Sequence, residues 1–503
     1  MTYEASMMPE PPLEFRYGQC LADPHDGLSM FGPYDADAPG RPGNISYGLV
    51  GRHVGVKLFQ AFASALSLPI RNAGTDYDPR LWPTYPGFEA AFGSTLPSEA
   101  TRRLELDGDR LTMAARYKDP FKRVGTVVEQ YLDGLTRILK REEVVSFIIF
   151  VVPDIVYQNC RIKSRVSEAI GPGVKPKQAA LRALGQTDLF HQYDTAHYRY
   201  SIDFRRQIKA RAMKHGIPIQ VIRESTLHLG DLPEGVTRSL TPLSDRAWNL
   251  SVAFYYKAGG KPWRLASARD RVCYVGIAYR LADQRAGSRS ACCAAQMFLD
   301  DGDGVVFMGE RGPWYSPENH QFHLSRDAAK RLLAGVLKAY EELEGKKPLR
   351  EVFLHCRSGI NRDEFSGFRA ACPEDVKVVG IRVCQERPGG FRLYREGKLP
   401  VLRGTLWVIN DRSCYLWGTG FKPRLNTYDG WEVPSPLQID VQHGDSEITQ
   451  VAEDIFGLTK LNYNACRLGE SQPVTIGFSD AVGEILVSNP SVEAASPKFK
   501  FYI

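Results

Sequence analysis

The chain has 503 residues, 43% hydrophobic and 24% charged, which is ordinary for a globular protein and sufficient for two or three domains. Its 64 basic and 58 acidic residues give a net charge of +6, which does not by itself indicate nucleic-acid binding. No apolar run of about 18 residues occurs, and the N-terminus is too acidic and Pro-rich for a signal peptide, so we expect a cytoplasmic protein.

The first half of the chain alternates between predicted strands and helices. Residues 1 to about 45 are rich in Pro, Gly and Asp and predict an irregular arm. ISYGLVG predicts a strand leading into the amphipathic helix VGVKLFQAFASAL, and SFIIFVVPD and IPIQVIRE predict two more strands. Their continuous apolar runs favour a parallel sheet covered on both faces. We therefore predict a Rossmann-like α/β domain over residues 1–265.

The second half has a different order of predicted elements. VCYVGIAYR is a predicted strand, and SACCAAQMFLDDGDGVVFMGE predicts two strands joined at a Gly/Asp turn. A helix over about residues 325–344 leads to the strands EVFLHCRSG and VKVVGIRVC, the hairpin TLWVINDRSCYLWGTG, the helix SEITQVAEDIFGLTKL and a final strand. Antiparallel strands followed by strand–helix–strand units predict an RNase H-like fold over residues 266–503.

A basic segment, DFRRQIKARAMKHGIPIQVIRE, includes the last strand of the first half. Between Arg199 and Arg223 the chain contains seven Lys or Arg residues and one acid, Asp203. Asp203 is a predicted N-cap, and Gly216 a predicted end, for a helix over about residues 204–214. Apolar positions recur every four residues and predict a buried stripe of Phe204, Ile208 and Ala212.

The same segment contains a candidate anion site. Arg205 and Lys209 are four residues apart, so they share one helix face and can converge on one group. Gln220, at the start of the next strand, offers an amide donor, and Lys257 in AFYYKAGGKPW offers a third cation. Such a set suits a terminal phosphate, which carries close to two negative charges. The pattern also occurs on basic helix faces exposed to solvent, and the GxxxxGK[ST] phosphate loop is absent.

The ten cysteines show no CxxC pair or Cys/His metal spacing. They are expected to be reduced and to lie mostly in the core. Cys356 is adjacent to His355 on a predicted strand, where neighbouring side chains point to opposite faces. A catalytic Cys–His pair is therefore not expected.

Several motifs resemble those of short prokaryotic Argonautes, which consist of a MID and a PIWI domain. The motifs are FRRQIK…IPIQVIREST, YYKAGGKPW, ACCAAQMFLDDGDG, LTKLNYNAC, PVTIGFSDAVGEIL and the terminal FKFYI. They occur in the expected order, and the resemblance runs from DGLSMFGPYD to the C-terminus. It implies a Rossmann-like MID domain followed by an RNase H-like PIWI domain.

In this family the MID domain binds the 5′-phosphate of a guide strand. Its motif is an aromatic residue or His, a Lys four positions on, a Gln on the next strand and a later Lys. Lys209, Gln220 and Lys257 match this motif, whereas Arg205 stands at the first position. Arginine can contact a phosphate bidentately, but it stacks on a base only through its guanidinium plane.

The resemblance also implies a role for the C-terminus. In KFKFYI, Phe499, Phe501 and Ile503 alternate with other residues, which predicts a half-buried terminal strand. In related proteins the terminal carboxylate helps to hold a divalent cation on the guide phosphate. By this resemblance, the α-carboxylate of Ile503 is a ligand for Mg²⁺.

Argonautes that cut their target carry a cluster of metal-binding acids in the PIWI domain, since two Mg²⁺ ions need several carboxylates. The first acid normally ends a Gly-hydrophobic-Asp pattern, where this chain has Gly276-Ile277-Ala278. Ser358 stands at the second position, Asp480 remains near the fourth, and Glu310 aligns poorly with the mobile second acid. We therefore expect a catalytically inactive PIWI domain.

The resemblance implies a sensor subunit in prokaryotic defence against plasmids and phages. A 5′-phosphorylated guide RNA would pair with single-stranded target DNA and activate a partner with an APAZ region. That partner carries an effector, such as a TIR or sirtuin-like domain that degrades NAD, and the heterodimer is expected to oligomerise. No membrane association is expected. The alternatives are a guide-directed nuclease using Asp480 and a stand-alone nucleic-acid binding protein that blocks invaders.

Overall fold

The computed structural model describes residues 5–72, 78–186, 193–232, 238–281, 291–298, 304–342, 347–386, 390–428, 430, 432–487, 489 and 498–502. The elements of its first half are β1 (Ala5–Met7), β2 (Leu13–Glu14), β3 (Cys20–Leu21), α1 (Pro24–Met30), β4 (Tyr47–Arg52), α2 (His53–Ala65), α3 (Phe88–Phe92), β5 (Arg102–Leu106), α4 (Gly108–Ala114), α5 (Pro120–Leu139), β6 (Phe147–Val152), α6 (Asp154–Asn159), α7 (Pro176–Ala183), α8 (Phe204–Ala212), β7 (Ile219–Arg223), α9 (Leu243–Lys257) and β8 (Arg264–Leu265).

The second half of the chain contains both strands and helices. They are β9 (Val272–Leu281), β10 (Ala291–Phe298), β11 (Gly304–Gly312), β12 (Tyr315–Ser316), β13 (Gln321–Phe322), α10 (Arg326–Glu341), β14 (Glu351–Cys356), α11 (Arg362–Arg369), β15 (Lys377–Gln385), β16 (Thr405–Asn410), β17 (Ser413–Leu416), β18 (Leu437–His443), α12 (Ile448–Leu458) and α13 (Val474–Val487). The predicted Gly/Asp turn between β10 and β11 lies outside the described residues.

Strands β5, β4, β6 and β7 form a parallel sheet in that order, called the smaller sheet below. Alternate residues of β6 pack on opposite sides: Ile149 lies in one core with residues of α2 and α9, and Ile148 lies in another with residues of α5 and α8. Every residue of β6 is buried. The predicted parallel sheet covered on both faces is confirmed, as are the strands at β4, β6 and β7.

The prediction missed β5 and α5. In β5 the burial alternates between half-buried and exposed, so it lacks the continuous apolar run that marks the other strands. Helix α5 begins after Asp119, whose carboxylate accepts hydrogen bonds from the backbone N–H groups of Phe121 and Lys122. It covers the outer face of the smaller sheet with residues such as Val128 and Leu135.

Strand β1 of the first half and strands of the second half form the larger sheet, in the order β1-β16-β17-β18-β15-β14-β9-β10-β11. Strands β9, β10 and β11 are antiparallel, whereas β14 runs parallel to both β9 and β15. One face packs on α10, with Val275 and Leu354 in that core, and the other face packs on α12 and α13. This is the predicted RNase H-like order.

Three local predictions were wrong. The N-terminal arm is not irregular throughout, because β1 pairs with β16 at the edge of the larger sheet and β2 pairs with β3 and β8. The expected final strand is helix α13. The tail does not end as a strand either: Phe499–Phe501 form a 3₁₀ helix whose two Phe side chains are buried. The domain division at residue 265 stays a prediction.

Helix α13 packs directly on strand β9. A Cβ atom at Gly276 would lie 1.9 Å from the carbonyl oxygen of Thr475, so only glycine permits this close approach. The rings of Phe478, in the same helix, and Phe499 pack edge to face, with their centroids 5.0 Å apart. Helix α13 therefore connects the larger sheet to the C-terminal tail. None of the helices in the described residues is long and apolar enough to cross a membrane.

We predict that Gly276→Ala lowers the free energy of unfolding by about 3 kcal/mol, because the new methyl group forces α13 away from β9. Chemical denaturation monitored by circular dichroism would measure the change. Gly477→Ala is the matched control: Gly477 lies within α13, where a Cβ meets no atom within 4 Å. It should stabilise the protein by about 0.5–1 kcal/mol. Equal stabilities of both variants would contradict this packing.

Candidate anion-binding pocket

Helix α8 forms as its sequence predicts. The Asp203 carboxylate accepts a hydrogen bond from the backbone N–H of Arg206 at 3.1 Å and caps the first turn. A 3₁₀ turn, Met213–His215, extends the helix, and Gly216 ends it with a left-handed φ of 67°. The predicted buried stripe is confirmed and consists of Phe204, Ile208 and Ala212. The helix is thus fixed in rotation about its axis, which directs Lys209 inward.

The three predicted cations, Arg205, Lys209 and Lys257, lie close together. Lys209 and Lys257 are buried, with 3% and 0% exposure, whereas Arg205 is exposed. The positive charge of Arg205 acts on both lysines and lowers the pKa of each. Residues from two helices, α8 and α9, therefore form one cationic pocket.

The C-terminal tail closes this pocket. The ammonium group of Lys209 donates a hydrogen bond to the carbonyl oxygen of Tyr502 at 3.0 Å, and that of Lys257 donates to the carbonyl oxygen of Lys500 at 3.5 Å. The rings of Phe499 and Phe501 anchor the 3₁₀ helix that presents these carbonyls. Ile503, whose carboxylate we expected to bind Mg²⁺, lies outside the described residues.

The pKa values of both lysines are lowered. Burial, followed by the charges of Arg205 and Lys257, holds the pKa of Lys209 well below its usual range. Burial, followed by the charges of Arg205 and Lys500, lowers the pKa of Lys257 to about 7. A bound anion would stabilise the charged form of both groups, so the pocket is electrostatically poised for one.

Gln220 lies near the start of β7, which packs against α8. Its Oε1 atom is buried without a hydrogen-bond partner in the described structure, which is costly for a polar group. Rotation of the amide by 180° would present Nε2, a donor, at the same point. The amide of Gln220 can therefore act either as an acceptor or as a donor.

The residues present fit a Mg²⁺ ion only together with an anion. Hard cations take oxygen ligands, and the orphaned Gln220 Oε1 and the tail carbonyls are of that kind. The charges of Arg205, Lys209 and Lys257 oppose the binding of Mg²⁺ alone. A bound phosphate would offset these charges, and the ion would then add positive charge beside it.

A cavity of about 500 Å³ adjoins α8 and opens beside Arg205. Its walls combine apolar groups with arginines and two acids, and they include Val152, Tyr157, Arg161, Asp203, Phe204, Arg205, Arg206, Val221, Arg223, Leu250, Glu484 and Ile485. The guanidinium carbons of Arg223 and Arg161 lie 3.8 Å and 4.5 Å from the Tyr157 ring centroid. The cavity therefore offers both charges and planar groups.

Sequence reasoning missed this cavity. The Asp154 carboxylate fixes Arg223 through a hydrogen bond of 3.0 Å from Nε and also accepts from the hydroxyl of Ser225 at 2.7 Å. Burial acts to raise the pKa of Asp154, but Ser225 and Arg223 together lower it. The one available signal was the four-residue spacing of Tyr157 and Arg161 after β6, at the carboxyl end of a parallel strand.

The positions at which the family resemblance predicted lost catalytic acids, Ala278 and Ser358, lie at one end of the larger sheet. Ala278 of β9 is buried and faces α13, and Ser358 follows β14, the parallel neighbour of β9. Arg280 lies two residues beyond Ala278 on the same face of β9. The side chains of Asp480 and Glu310 lie outside the described part of the structure.

His355 and Cys356 point to opposite faces of β14, as predicted. His355 forms a hydrogen bond with the hydroxyl of Thr475 at 2.9 Å, and Cys356 lies in the core beneath α10. Burial lowers the pKa of His355 to about 3 and raises that of Cys356 to about 12. Neither group is prepared for nucleophilic catalysis.

No protein-family model and no curated protein sequence matches this chain. Solved structures do match it. Clostridium butyricum Argonaute bound to a guide DNA and a 19-mer target DNA is 14% identical, with a TM-score of 0.63 over 100% of this chain and 55% of that chain. Argonaute of A. aeolicus is 13% identical, with a TM-score of 0.54 over 99% and 55%. Aa-Ago with externally bound siRNA is 12% identical, with a TM-score of 0.55 over 99% and 56%.

The chain therefore has an Argonaute-like fold, and the predicted α/β class of a MID–PIWI chain is confirmed. It spans only about 55% of the length of these structures.

We predict that binding of a 5′-phosphorylated RNA weakens at least about tenfold between pH 7 and pH 9. The free protein loses the proton of Lys257 above a pKa of about 7, whereas a bound phosphate keeps that group charged, so affinity is highest below pH 7. The phosphate itself stays a dianion over this range. Fluorescence anisotropy would measure the affinities.

Lys257→Met should flatten this pH dependence, and Lys214→Met, at an exposed site beyond α8, should retain it. An affinity of the natural sequence that stays constant from pH 7 to pH 9 would contradict proton uptake by the buried lysines.

Proposed function

We propose that this chain is the guide-binding sensor subunit of a prokaryotic defence complex. It binds the 5′-phosphate of a guide RNA, presents the guide for pairing with single-stranded DNA of plasmids or phages, and activates a partner that carries an APAZ region and an effector. The observation that carries the proposal is the pair of buried ammonium groups, Lys209 and Lys257, which lie behind the exposed Arg205.

The pocket favours a terminal phosphate over other anions. Arg205, Lys209 and Lys257 together offer more positive charge than one carboxylate would neutralise. The two lysines are buried, so a terminal group fits better than a phosphate within a chain. We propose that the amide of Gln220 donates to this phosphate and that the carboxylate of Ile503 helps to hold a Mg²⁺ ion on it.

The adjoining cavity favours a nucleotide over free phosphate. Its volume of about 500 Å³ exceeds what a phosphate needs, and it opens beside Arg205. Tyr157 and the guanidinium planes of Arg161 and Arg223 offer surfaces on which a base can stack. Clostridium butyricum Argonaute, a structural neighbour, was solved with a guide DNA and a target DNA. We propose that the first guide nucleotide occupies the cavity of this chain.

The partner proposal rests on the resemblance to short prokaryotic Argonautes. The chain spans about 55% of the length of its structural neighbours. We propose that a second protein with an APAZ region acts together with this chain. By the family resemblance its effector is a TIR or sirtuin-like domain that degrades NAD, and guide–target pairing would drive the heterodimer into an active oligomer.

We further propose that the chain does not cleave nucleic acid. Ala278 and Ser358 offer no carboxylate at the ends of β9 and β14. The Arg280 guanidinium, on the same face of β9 as Ala278, adds a positive charge that opposes a pair of divalent ions. NAD degradation would be an activity of the partner.

We predict that Lys209→Glu abolishes binding of a 5′-phosphorylated RNA of about 20 nucleotides by the complex co-purified with its partner. A carboxylate beside the phosphate would reverse the local electrostatics. Anisotropy with 5′-phosphate and 5′-hydroxyl RNA, in Mg²⁺ and in EDTA, would measure this. The natural sequence should prefer the phosphate and lose that preference in EDTA.

The matched control is Lys214→Glu, which changes the charge equally at an exposed site five residues away and should bind normally. Lys209→Met tests the same pocket if the buried glutamate prevents folding, and it should weaken binding at least about tenfold. Equal binding of both RNAs by the natural sequence, decreasing smoothly with salt, would show a general nucleic-acid surface instead.

We predict no cleavage of a matched single-stranded DNA or RNA target by the guide-loaded complex in Mg²⁺ or Mn²⁺. Gel electrophoresis of end-labelled target would detect any product, and guide loading of the same preparation is the control. A product that disappears in EDTA and in Asp480→Asn would reverse the assignment and identify a nuclease with other ligands.

A further inference from the structure

Glu484 of α13 holds two arginines from different parts of the fold. Its Oε2 atom lies 2.9 Å from a guanidinium nitrogen of Arg206 on α8, and its Oε1 atom lies 3.1 Å from one of Arg280 on β9. Arg206 is adjacent to Arg205, and Arg280 lies two residues beyond Ala278. One carboxylate thus joins the anion pocket to the end of the larger sheet.

The surrounding contacts keep this carboxylate in place. A Cβ atom at Gly483 would lie 3.3 Å from Cγ of Arg280, so α13 approaches β9 closely at this point. Asn489, just past the end of α13, donates to the carbonyl oxygens of Arg206 at 3.1 Å and Ile485 at 2.7 Å. Helices α8 and α13 are therefore joined by hydrogen bonds that do not involve Glu484, and the ion pairs can change without separating the two helices.

Glu484 and Arg206 also line the 500 Å³ cavity beside Arg205. The side chains of Arg206, Glu484 and Arg280 are 24%, 36% and 37% exposed, so their ion pairs are partly solvated and readily exchanged. A phosphate binds a guanidinium bidentately and carries more charge than a carboxylate. A polyanion in the cavity would compete with Glu484 for Arg206.

We propose that Glu484 is a built-in counter-ion that competes with the guide backbone for Arg206 and thereby links occupancy of the cavity to strand β9. In the free protein it neutralises Arg206 and Arg280. When a backbone phosphate takes Arg206, the carboxylate pairs with Arg280 alone. Glu484 is thus a positioning residue. It weakens guide binding, and its change of partner transmits guide binding to β9. This inference rests on the proposed function of the pocket.

Two substitutions should change guide affinity in opposite directions. Glu484→Gln removes the competitor and should tighten binding of 5′-phosphorylated RNA by about threefold to tenfold. Arg280→Gln leaves Glu484 less neutralised, so Glu484 should compete more strongly for Arg206 and weaken RNA binding by a similar factor. A purely structural ion pair would lower affinity in both variants. Arg280→Lys keeps the charge and should restore binding.

Hydrogen–deuterium exchange over residues 272–281 gives a second measurement. In the natural sequence, exchange at the Arg280 end of β9 should change on guide binding, and in Glu484→Gln that response should be lost. Glu351→Gln is the matched control, because Glu351 also pairs with an arginine, Arg269 at 3.1 Å, but lies outside the cavity. Thermal melting without RNA would verify folding of each variant.

The outcomes separate the two proposals. If the natural sequence binds 5′-phosphate and 5′-hydroxyl RNA equally, the proposed function fails and this inference fails with it. If it prefers the phosphate but Glu484→Gln and Arg280→Gln shift affinity in the same direction or not at all, only the role of Glu484 is overturned. Should Glu484→Gln not fold, normal binding by Arg280→Gln alone would overturn it.

Discussion

The burial of two ammonium groups, Lys209 and Lys257, is the constraint on which the rest of the structure depends. In the described part of the chain, the charges that lower their pKa values come from Arg205, Lys257 and Lys500, and the carbonyl oxygens of Tyr502 and Lys500 accept hydrogen bonds from the two lysines. A bound anion would stabilise the charged form of both lysines. Helices α8 and α9 and the tail must all be placed correctly to form this site.

Helix α13 and the C-terminal tail join the two sheets, and this places the elements that form the pocket. Phe499 packs against Phe298 of β10 and Phe478 of α13, with ring centroids 5.5 Å and 5.0 Å apart, so the tail is anchored in the part of the fold that contains the larger sheet. Its carbonyls nevertheless serve lysines on α8 and α9. The pocket is consequently an interface within the chain. A ligand in the pocket would contact both halves of the fold. Ligand binding would therefore stabilise the packing of the two halves against each other.

The sequence predicted those features whose signals are local. Continuous apolar runs marked β4, β6 and β7, and the N-cap and glycine end of α8 fixed which face of that helix is buried. The tail was mistaken for a strand because alternation of Phe499 and Phe501 over so few residues fits a buried 3₁₀ turn equally well. Helix α13 was missed because its glycines weaken a helical pattern; one of them, Gly483, lies where a Cβ atom would come within 3.3 Å of Arg280. Contacts between residues distant in sequence leave no such local signal.

A nucleic-acid binding protein and a nuclease need opposite charges at the end of the larger sheet. Mg²⁺ pairs require several carboxylates with little positive charge nearby, whereas a polyanion requires the reverse. Along the face of β9 that meets α13, the chain has Ala278 and then Arg280, and the nearby carboxylate of Glu484 is already shared between two guanidinium groups. Among the described side chains, the charges at this end of the sheet favour a nucleic-acid backbone over a pair of metal ions. They are consistent with the proposal that this chain recognises nucleic acid and that a partner performs the chemistry.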